Sequence, residues 1–559
     1  MTVQAQVSAA LEAAFAFHAP ASSPTLRDAK LPGSDFQCSD AISAAARAGK
    51  PGPELAESIA AELRRSALFS AVTVTGPGFL NLTLSDASVE QAAAAIFDDP
   101  RLGVPDVGKG RKAFVDFGGP NIAKPLHVGH LRSFVIGESL RRILSEAGFR
   151  TVSDIHLGDW GLQMGMLLME AGRRWPGLAV PYGVDVETLD GLYRDASAAC
   201  REDPAALAQA RDLTRRLQEG EPPLVAAWSR MREASLASVR EACSTLGAHF
   251  DLFLGESDVN GDIGPMVDAL LAFGIARESD GAVVADVSEG EPPLILRKSD
   301  GAALYGSTDL ATLRRRAEAG ASLAVYVVDS RQSQHLEAVF SVARRAGYAE
   351  GMELVHAGFG TVNGPDRKPY RTRDGGTARL DALVAEAVAK AHSRLETGGL
   401  SGQEAACAVG VGALKFADLS SDRLTGYVFD AERMTAFEGR TGPYLQYACA
   451  RISAIAEKAA EAGIVPAGKV ACGHPAERAL LLECLLYPGS VEAAVRRLQP
   501  CEVAERAFRT AQAFSRFYRE CPVIGGGADA RPRLALCLLA GRVLGRCLHL
   551  LGIDVPKRM

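Results

Sequence analysis

What this chain of 559 residues lacks narrows its class first. No apolar run approaches the roughly 20 residues that a membrane-spanning helix needs. The longest candidate, Leu534 to Leu551, is interrupted by Arg542 and Arg546. The amino-terminal segment has no basic stretch ahead of an apolar one, and Glu12 breaks its alanine-rich run, so no signal peptide is expected. The eleven cysteines include no Cys-x-x-Cys pair. Most sit inside helical patterns (Cys243, Cys449, Cys484, Cys537, Cys547), which suits reduced thiols in a cytoplasmic protein rather than a disulfide framework. The ten histidines are scattered, so no metal site is expected. Repeats and low-complexity tracts are absent. A strong charge of one sign is absent too, since the net charge is −6. The distribution is uneven: residues 431–559 hold 18 Lys+Arg against 12 Asp+Glu. A basic carboxyl-terminal third is compatible with an RNA partner, although an ordinary Arg-rich helical surface reads the same way.

What is present suits a globular chain of about three to four domains. Hydrophobic residues make up 47% and charged ones 23%. Residues 1–100 read as a small α+β domain. Residues 5–17 and 54–68 have helical spacing, and Ala71–Val74 and Phe79–Leu84 alternate as strands across a Gly76-Pro77-Gly78 turn. From 111 to 400 strands alternate with helices, which predicts βαβ units around a parallel sheet. Within it, 175–293 turns to charged helices and reads as a helical insertion. Residues 401–430 read as a connecting segment, and 431–559 as a helical bundle.

One stretch organises the chain. Lys112 to Phe117 reads as a strand, and Leu131 to Ala147 has helical spacing with Gly148 as its stop. Between them lies the loop Gly118 to His130, ending in His-Val-Gly-His as the helix begins. A helix amino terminus offers free N–H groups and the positive end of a dipole, which suit a phosphate. His127 and His130 add donors, and Gly129 leaves room for a planar ligand to approach the backbone.

The residues P-N-I-A-K-P-L-H-V-G-H-L-R-S resemble the H-I-G-H signature of class I aminoacyl-tRNA synthetases, and their surroundings resemble arginyl-tRNA synthetases in particular. Four further stretches extend the resemblance. They are Ser299 to Ala311 (S-D-G…Y…D-L-A), Leu157 to Gly165 (L-G-D-W-G), Phe359 to Thr377, and Phe437 to Ala448. The resemblance implies a multidomain α/β fold. It has a Rossmann-like catalytic domain with a helical insertion, a small α+β N-terminal domain that contacts tRNA, and an all-α C-terminal anticodon-binding bundle. It implies activation of arginine by ATP, with Mg²⁺, and transfer to the 2′-OH of the terminal adenosine of arginine tRNA. The family often needs tRNA bound before it activates arginine, and its members are usually monomers.

Site residues follow from the same likeness. His127, Gly129 and His130 would bind ATP, His127 and His130 would be catalytic, and Lys124 would assist. The usual K-M-S-K-S loop is missing, so Arg371 or Arg373 in the basic loop would share the charge compensation with Lys124. Asp116 and Asp309 would read the arginine guanidinium, because paired carboxylates match its planar fork and lysine cannot imitate it. Tyr305 would stack on the substrate, and Asn121 and Gln332 would hold its amino group, with Gln334 a close rival. A helix cap for Asp309 and a surface loop for the glutamines are the plain alternatives. Another H-x-G-H enzyme and a non-catalytic RNA-binding paralogue remain the rival functions.

Overall fold

The computed structural model describes every residue except Met1, Lys30, Glu289 and residues 300–303, 372–377, 398–401 and 557–558. Its centre is a five-stranded sheet. The strands are β1 (Lys112–Phe117), β2 (Arg150–Leu157), β3 (Leu252–Gly255), β4 (Ala321–Val327) and β5 (Glu353–His356), in the order β5-β4-β1-β2-β3. Every neighbouring pair is parallel. β1 and β4 are buried along most of their length, as strands covered by helices on both faces must be. The order reverses between β1 and β4. Open sheets of this kind bind ligands in the crevice at that point, outside the strands' carboxyl ends.

The helix Val128–Glu146 follows β1 and lies hard against it. A Cβ on Gly137 would stand 2.2 Å from Cγ of Phe117, so only glycine allows this approach. The helix stops where Gly148 takes a φ of 92°. Ser133 ties its first turns to both strands at the reversal point. Its hydroxyl accepts from Gly118 N (2.8 Å) and donates to Val327 O (2.6 Å). Arg132 beside it is only 1% exposed. Its Nε donates to both carboxylate oxygens of Asp418 (3.1 and 3.2 Å), and Nη1 donates to Thr425 O (3.1 Å).

Asp418 lies on the helix Gln403–Leu419, inside the segment expected as a connector at 401–430. That segment is instead mostly a packed helix, followed by a strand, Tyr427–Val428, that pairs in parallel with Val362–Asn363. The expected insertion at 175–293 also needs correction. The helices Val186–Glu202, Pro204–Gln218 and Pro222–Leu246 lie there, but Leu252–Gly255 is β3 of the central sheet. Ala276–Ser279, Ala282–Ala285 and Leu294–Arg297 then form a separate antiparallel sheet. Strands of four residues are too short for alternation to stand out beside long helices.

The amino-terminal domain is a four-stranded antiparallel sheet with helices, and the carboxyl-terminal region is helical. The two touch. Arg478 donates to both carboxylate oxygens of Asp35 (2.9 and 2.8 Å) and to Asp86 (2.8 Å). The bundle also meets the far end of the Val128–Glu146 helix, where Glu146 pairs with Arg546 at 2.7 Å and Ser139 donates to Leu550 O at 2.9 Å. Asp418→Ala would leave the Arg132 charge buried and unpaired, which costs about 3–5 kcal/mol. A clearly lower midpoint of thermal unfolding is expected, and an unchanged midpoint would show that the pair does not hold the fold.

Candidate active site

The loop after β1 is shaped by contacts on both sides. Ala123 takes a left-handed φ of 62°, and its N–H donates to the hydroxyl of Ser235 at 2.9 Å. Ser235 interrupts the apolar stripe of the Pro222–Leu246 helix, a signal that sequence reading missed. Asn121 forms a bridge to Gly158 beyond β2. A Cβ on Gly158 would stand 2.0 Å from the Asn121 side-chain oxygen, so this glycine admits Asn121.

His127 caps the helix and His130 sits in its first turn. Nδ1 of His127 accepts from Gly129 N (3.0 Å), and Nδ1 of His130 accepts from His127 N (3.0 Å). A ring nitrogen that accepts carries no proton, so the proton of each neutral ring is on Nε2. The rings lie 4.0 Å apart. Burial, then Lys124 and Arg331, hold the His127 pKa below its usual value. Burial and His127 push His130 down to about 3. The pair is therefore neutral at pH 7 and offers two N–H donors. Gly129 also leaves room for the His127 ring. A Cβ there would meet Cε1 of His127 at 2.8 Å.

Across the reversal point, the helix Tyr305–Glu318 brings Tyr305 and Asp309 onto one face, four residues apart. Asp309 does not cap this helix; its Oδ2 pairs with Nε2 of His335 at 2.6 Å, and this bond raises the His335 pKa. Tyr305, Gln334 and His335 line one cavity, of about 400 Å³. Glu256, just past β3, was missed by sequence reading. Burial, Asp159 and Asp309 push its pKa up to about 8, while Trp160 N donates to it at 3.2 Å. Asp159 of the L-G-D-W-G stretch is a buried anchor, accepting from Ser257 N (2.9 Å) and Arg232 Nε (2.8 Å).

Three comparisons bear on this geometry. The family model for tRNA synthetases class I (R), catalytic domain, matches residues 93–431. Those for the arginyl tRNA synthetase N terminal domain and the DALR anticodon binding domain match 1–84 and 445–559. An arginine–tRNA ligase of Maricaulis maris is 43% identical over 550 residues, covering 94% of this chain and 93% of that one. One of Frankia casuarinae is 40% identical over 580 residues, covering 100% and 98%.

The chain belongs to the arginyl-tRNA synthetase family.

Its fold agrees with solved members. The arginyl-tRNA synthetase of Plasmodium falciparum superposes with a TM-score of 0.85 at 23% identity, covering 99% of this chain and 98% of that one. That of Thermus thermophilus gives 0.80 at 24% identity, covering 99% of each. The catalytic match takes in the helix Gln403–Leu419, which accords with its packing on the signature helix of this synthetase fold.

Not every residue expected from the family likeness reaches the crevice. Asp116 is 6% exposed, and its carboxylate accepts from Arg316 Nη2 at 2.5 Å. It faces the chain's own guanidinium, not the cavity. The ammonium of Lys124 lies 4.3 Å from the Tyr193 ring centroid. Gln332 and Gln334 are both exposed after β4, and Gln334 lines the cavity with Tyr305. Arg371 is exposed near Lys368 and Tyr370, and Arg373 lies outside the described residues. Among the described residues no group of three or more His, Cys, Asp or Glu converges on a metal position.

The histidine protonation can be measured. The long-range ¹H–¹⁵N spectrum at about pH 7.5 should show both rings neutral with the proton on Nε2, and His130 should stay so down to about pH 5. The unfolded chain protonates these rings below about pH 6.5 and the folded chain does not, so stability should fall as pH drops through that range. A His130 that titrates near its ordinary value would contradict the burial argument.

Proposed function

We propose that the chain joins arginine to arginine tRNA in two steps, both run in the crevice between β1 and β4. In the first, the arginine carboxylate attacks the α-phosphate of ATP. An O–P bond forms, the bond to the β-phosphate oxygen breaks, and pyrophosphate leaves with the electron pair. In the second, the 2′-OH of the terminal adenosine attacks the arginyl carbonyl and AMP leaves. Side chains do little covalent work in either step. Catalysis is mostly positioning and stabilising charge on phosphoryl oxygens.

The observation that supports this reading is that Asp309 and Glu256 lie close enough for Asp309 to raise the Glu256 pKa, while the loop on the other side of the reversal point carries a pair of neutral donors. His127 and His130 donate from Nε2 to the ATP phosphates, and Lys124 supplies charge from the same loop with Arg371 or Arg373 beyond it. Gly129 keeps the His127 ring in place. Asp309 reads the guanidinium, Tyr305 stacks on it, and Glu256 is the second carboxylate, a role the family likeness had given to Asp116. Asn121 and one of Gln332 and Gln334 hold the amino group; Gln334 has the better support, as it shares a cavity with Tyr305. A site that pairs every guanidinium N–H rejects lysine without an editing step, because the unfilled carboxylates would be left unpaired.

An RNA partner is supported at the other end of the molecule. Arg451 stacks 4.6 Å from the Tyr447 ring and 5.0 Å from the Tyr518 ring, and both tyrosines are exposed on the helical domain. An arginine between exposed aromatic rings suits unpaired bases. The reading includes a cytoplasmic monomer. All eleven cysteines are free, which supports a reducing compartment. No helix among the described residues is long and apolar enough to cross a membrane. Magnesium would arrive on the ATP phosphates; no side chain here is assigned to hold it.

Arginine-dependent ATP–pyrophosphate exchange, with and without arginine tRNA, tests the whole. No exchange in either condition would overturn the reading, and exchange with another amino acid would move the chain to a different specificity. Asp309→Ala should abolish exchange while ATP binding persists; equal loss of both would make the residue structural.

Glu256 gives a second test. It is protonated in the empty site at about pH 7, and an incoming guanidinium favours its charged form. Arginine binding there should release up to about one proton, seen by calorimetry in buffers of different ionisation enthalpy. Glu256→Gln should cancel that release, and a wild-type protein that releases none would remove Glu256 from the pocket.

A further inference from the structure

The neutral histidines pose a charge problem. As the first step proceeds, negative charge grows on the departing pyrophosphate, and two imidazole N–H donors bring no positive charge to meet it. Of the cations near the loop, Lys124 lies over the Tyr193 ring and supplies one charge. Arg379 is spent on Asp381 (2.6 Å) and Glu187 (2.8 Å).

Arg331 is placed differently. It lies in the turn Ser330–Gln332, just past the carboxyl end of β4 and across the reversal point from the histidine loop. Its side chain is 83% exposed. Asp329 holds it by two parallel bonds, Nε to Oδ1 at 2.9 Å and Nη2 to Oδ2 at 2.7 Å. The turn itself is fixed, because Ser330 donates to Phe359 O from both its N–H (3.2 Å) and its hydroxyl (3.0 Å). The guanidinium is therefore carried by a fixed turn, and among the described residues its bonds are the two to Asp329. Its charge also reaches the site, since it helps to hold down the His127 pKa after burial and Lys124.

We propose that Arg331 is a further catalytic residue, whose guanidinium exchanges Asp329 for the phosphate oxygens of ATP beside His127 and His130. This rests on the reading of the crevice given above. The exchange costs little, because an exposed ion pair contributes weakly and the phosphate offers the same two-toothed geometry. In the reaction, the arginine carboxylate oxygen bonds to the α-phosphorus, the bond to the bridging oxygen breaks, and its electron pair goes to pyrophosphate. Arg331 transfers no proton. It meets the charge that accumulates as pyrophosphate departs.

The test compares Arg331→Ala, Arg331→Lys, Asp329→Asn and, as a control, His127→Ala in ATP–pyrophosphate exchange with arginine tRNA present. Arg331→Ala should lower kcat by about 100-fold, the usual effect of removing one electrostatic donor, with the arginine KM within about threefold. Arg331→Lys should recover part of the loss, since it restores charge without the fork. Asp329→Asn, which frees the guanidinium, should remain within about threefold of wild type. A structural pair would respond otherwise: both single variants would fall together. Such a joint fall, or an Arg331→Ala enzyme at wild-type rate while His127→Ala is inactive, overturns the proposal alone. If His127→Ala is also unimpaired, the reading of the crevice fails with it. Arg331 is exposed, so the thermal unfolding midpoint of Arg331→Ala should match wild type and exclude misfolding as the cause.

Discussion

Two carboxylates stand side by side in the middle of the sheet. Asp116 on β1 and Asp154 on β2 are register partners, both buried. Two like charges cannot both persist in that interior without a cation between them. Arg316 supplies it, donating to Asp116 at 2.5 Å and to Asp154 at 2.7 Å. Burial pushes the Asp116 pKa up and the guanidinium opposes this, while Arg316 keeps its proton. The arginine comes from the helix that carries Tyr305 and Asp309. Asp309 is seven residues, about two turns, earlier on that helix. The ion cluster thus fixes one half of the sheet to the helix that forms the substrate pocket. Replacing any member would shift Asp309 as well as unbalance the core. Asp116 is thereby held within the core by the chain's own guanidinium.

A second constraint acts from the other side of the reversal point. The signature helix is buried along much of its length, and several polar groups near its start are held by partners. Ser133 joins the exit of β1 to the end of β4, Arg132 is closed by Asp418, and the histidine Nδ1 atoms take backbone N–H groups. With both Nδ1 atoms taken, the Nε2 atoms are the ring positions left to donate. The far end of the same helix meets the carboxyl-terminal bundle through Ser139 and Glu146. At 19 residues it is about 28 Å long, so one rigid element spans from the phosphate site to the domain that would hold RNA.

Much of this was legible in the sequence, for reasons that differ by residue. The strand, the loop and the histidine-bearing helix stand out because period two changes to period 3.6 within a short stretch, and because glycine and proline mark the turn. β4 is a mostly apolar run of seven residues, whereas β2 mixes Val, Ile and Leu with Arg, Thr, Ser, Asp and His. β3 has four residues, and the 25-residue helix before it dominates any window. The partner of Asp116 is 200 residues away, and nothing in residue types says which arginine closes on which aspartate. Glu256 resembled any other surface acid in a charged stretch. Its raised pKa exists only because the fold buries it next to Asp159 and Asp309. That the His127 ring also lies against Gly129 could not be read from the sequence, because it depends on how the ring folds back over the helix start.

The empty crevice also shows how a site full of ionisable groups can be stable before its substrates arrive. Each group that would meet a substrate already has a weaker substitute. Asp309 has His335, Asp329 and Arg331 have each other, Glu256 has a proton, and both histidines are uncharged. The Asp309–His335 and Asp329–Arg331 pairs are not deeply buried, in contrast to Glu256 and to the Asp116–Arg316–Asp154 cluster below. The two layers follow different rules. In the lower one, charges are matched within the chain and cannot be given up without loss of the fold. In the upper one, the ion pairs are half-exposed, so a guanidinium or a phosphate can displace them at small cost. Selectivity then comes from how completely a substrate fills the bonds it displaces, and arginine fills more of them than lysine can.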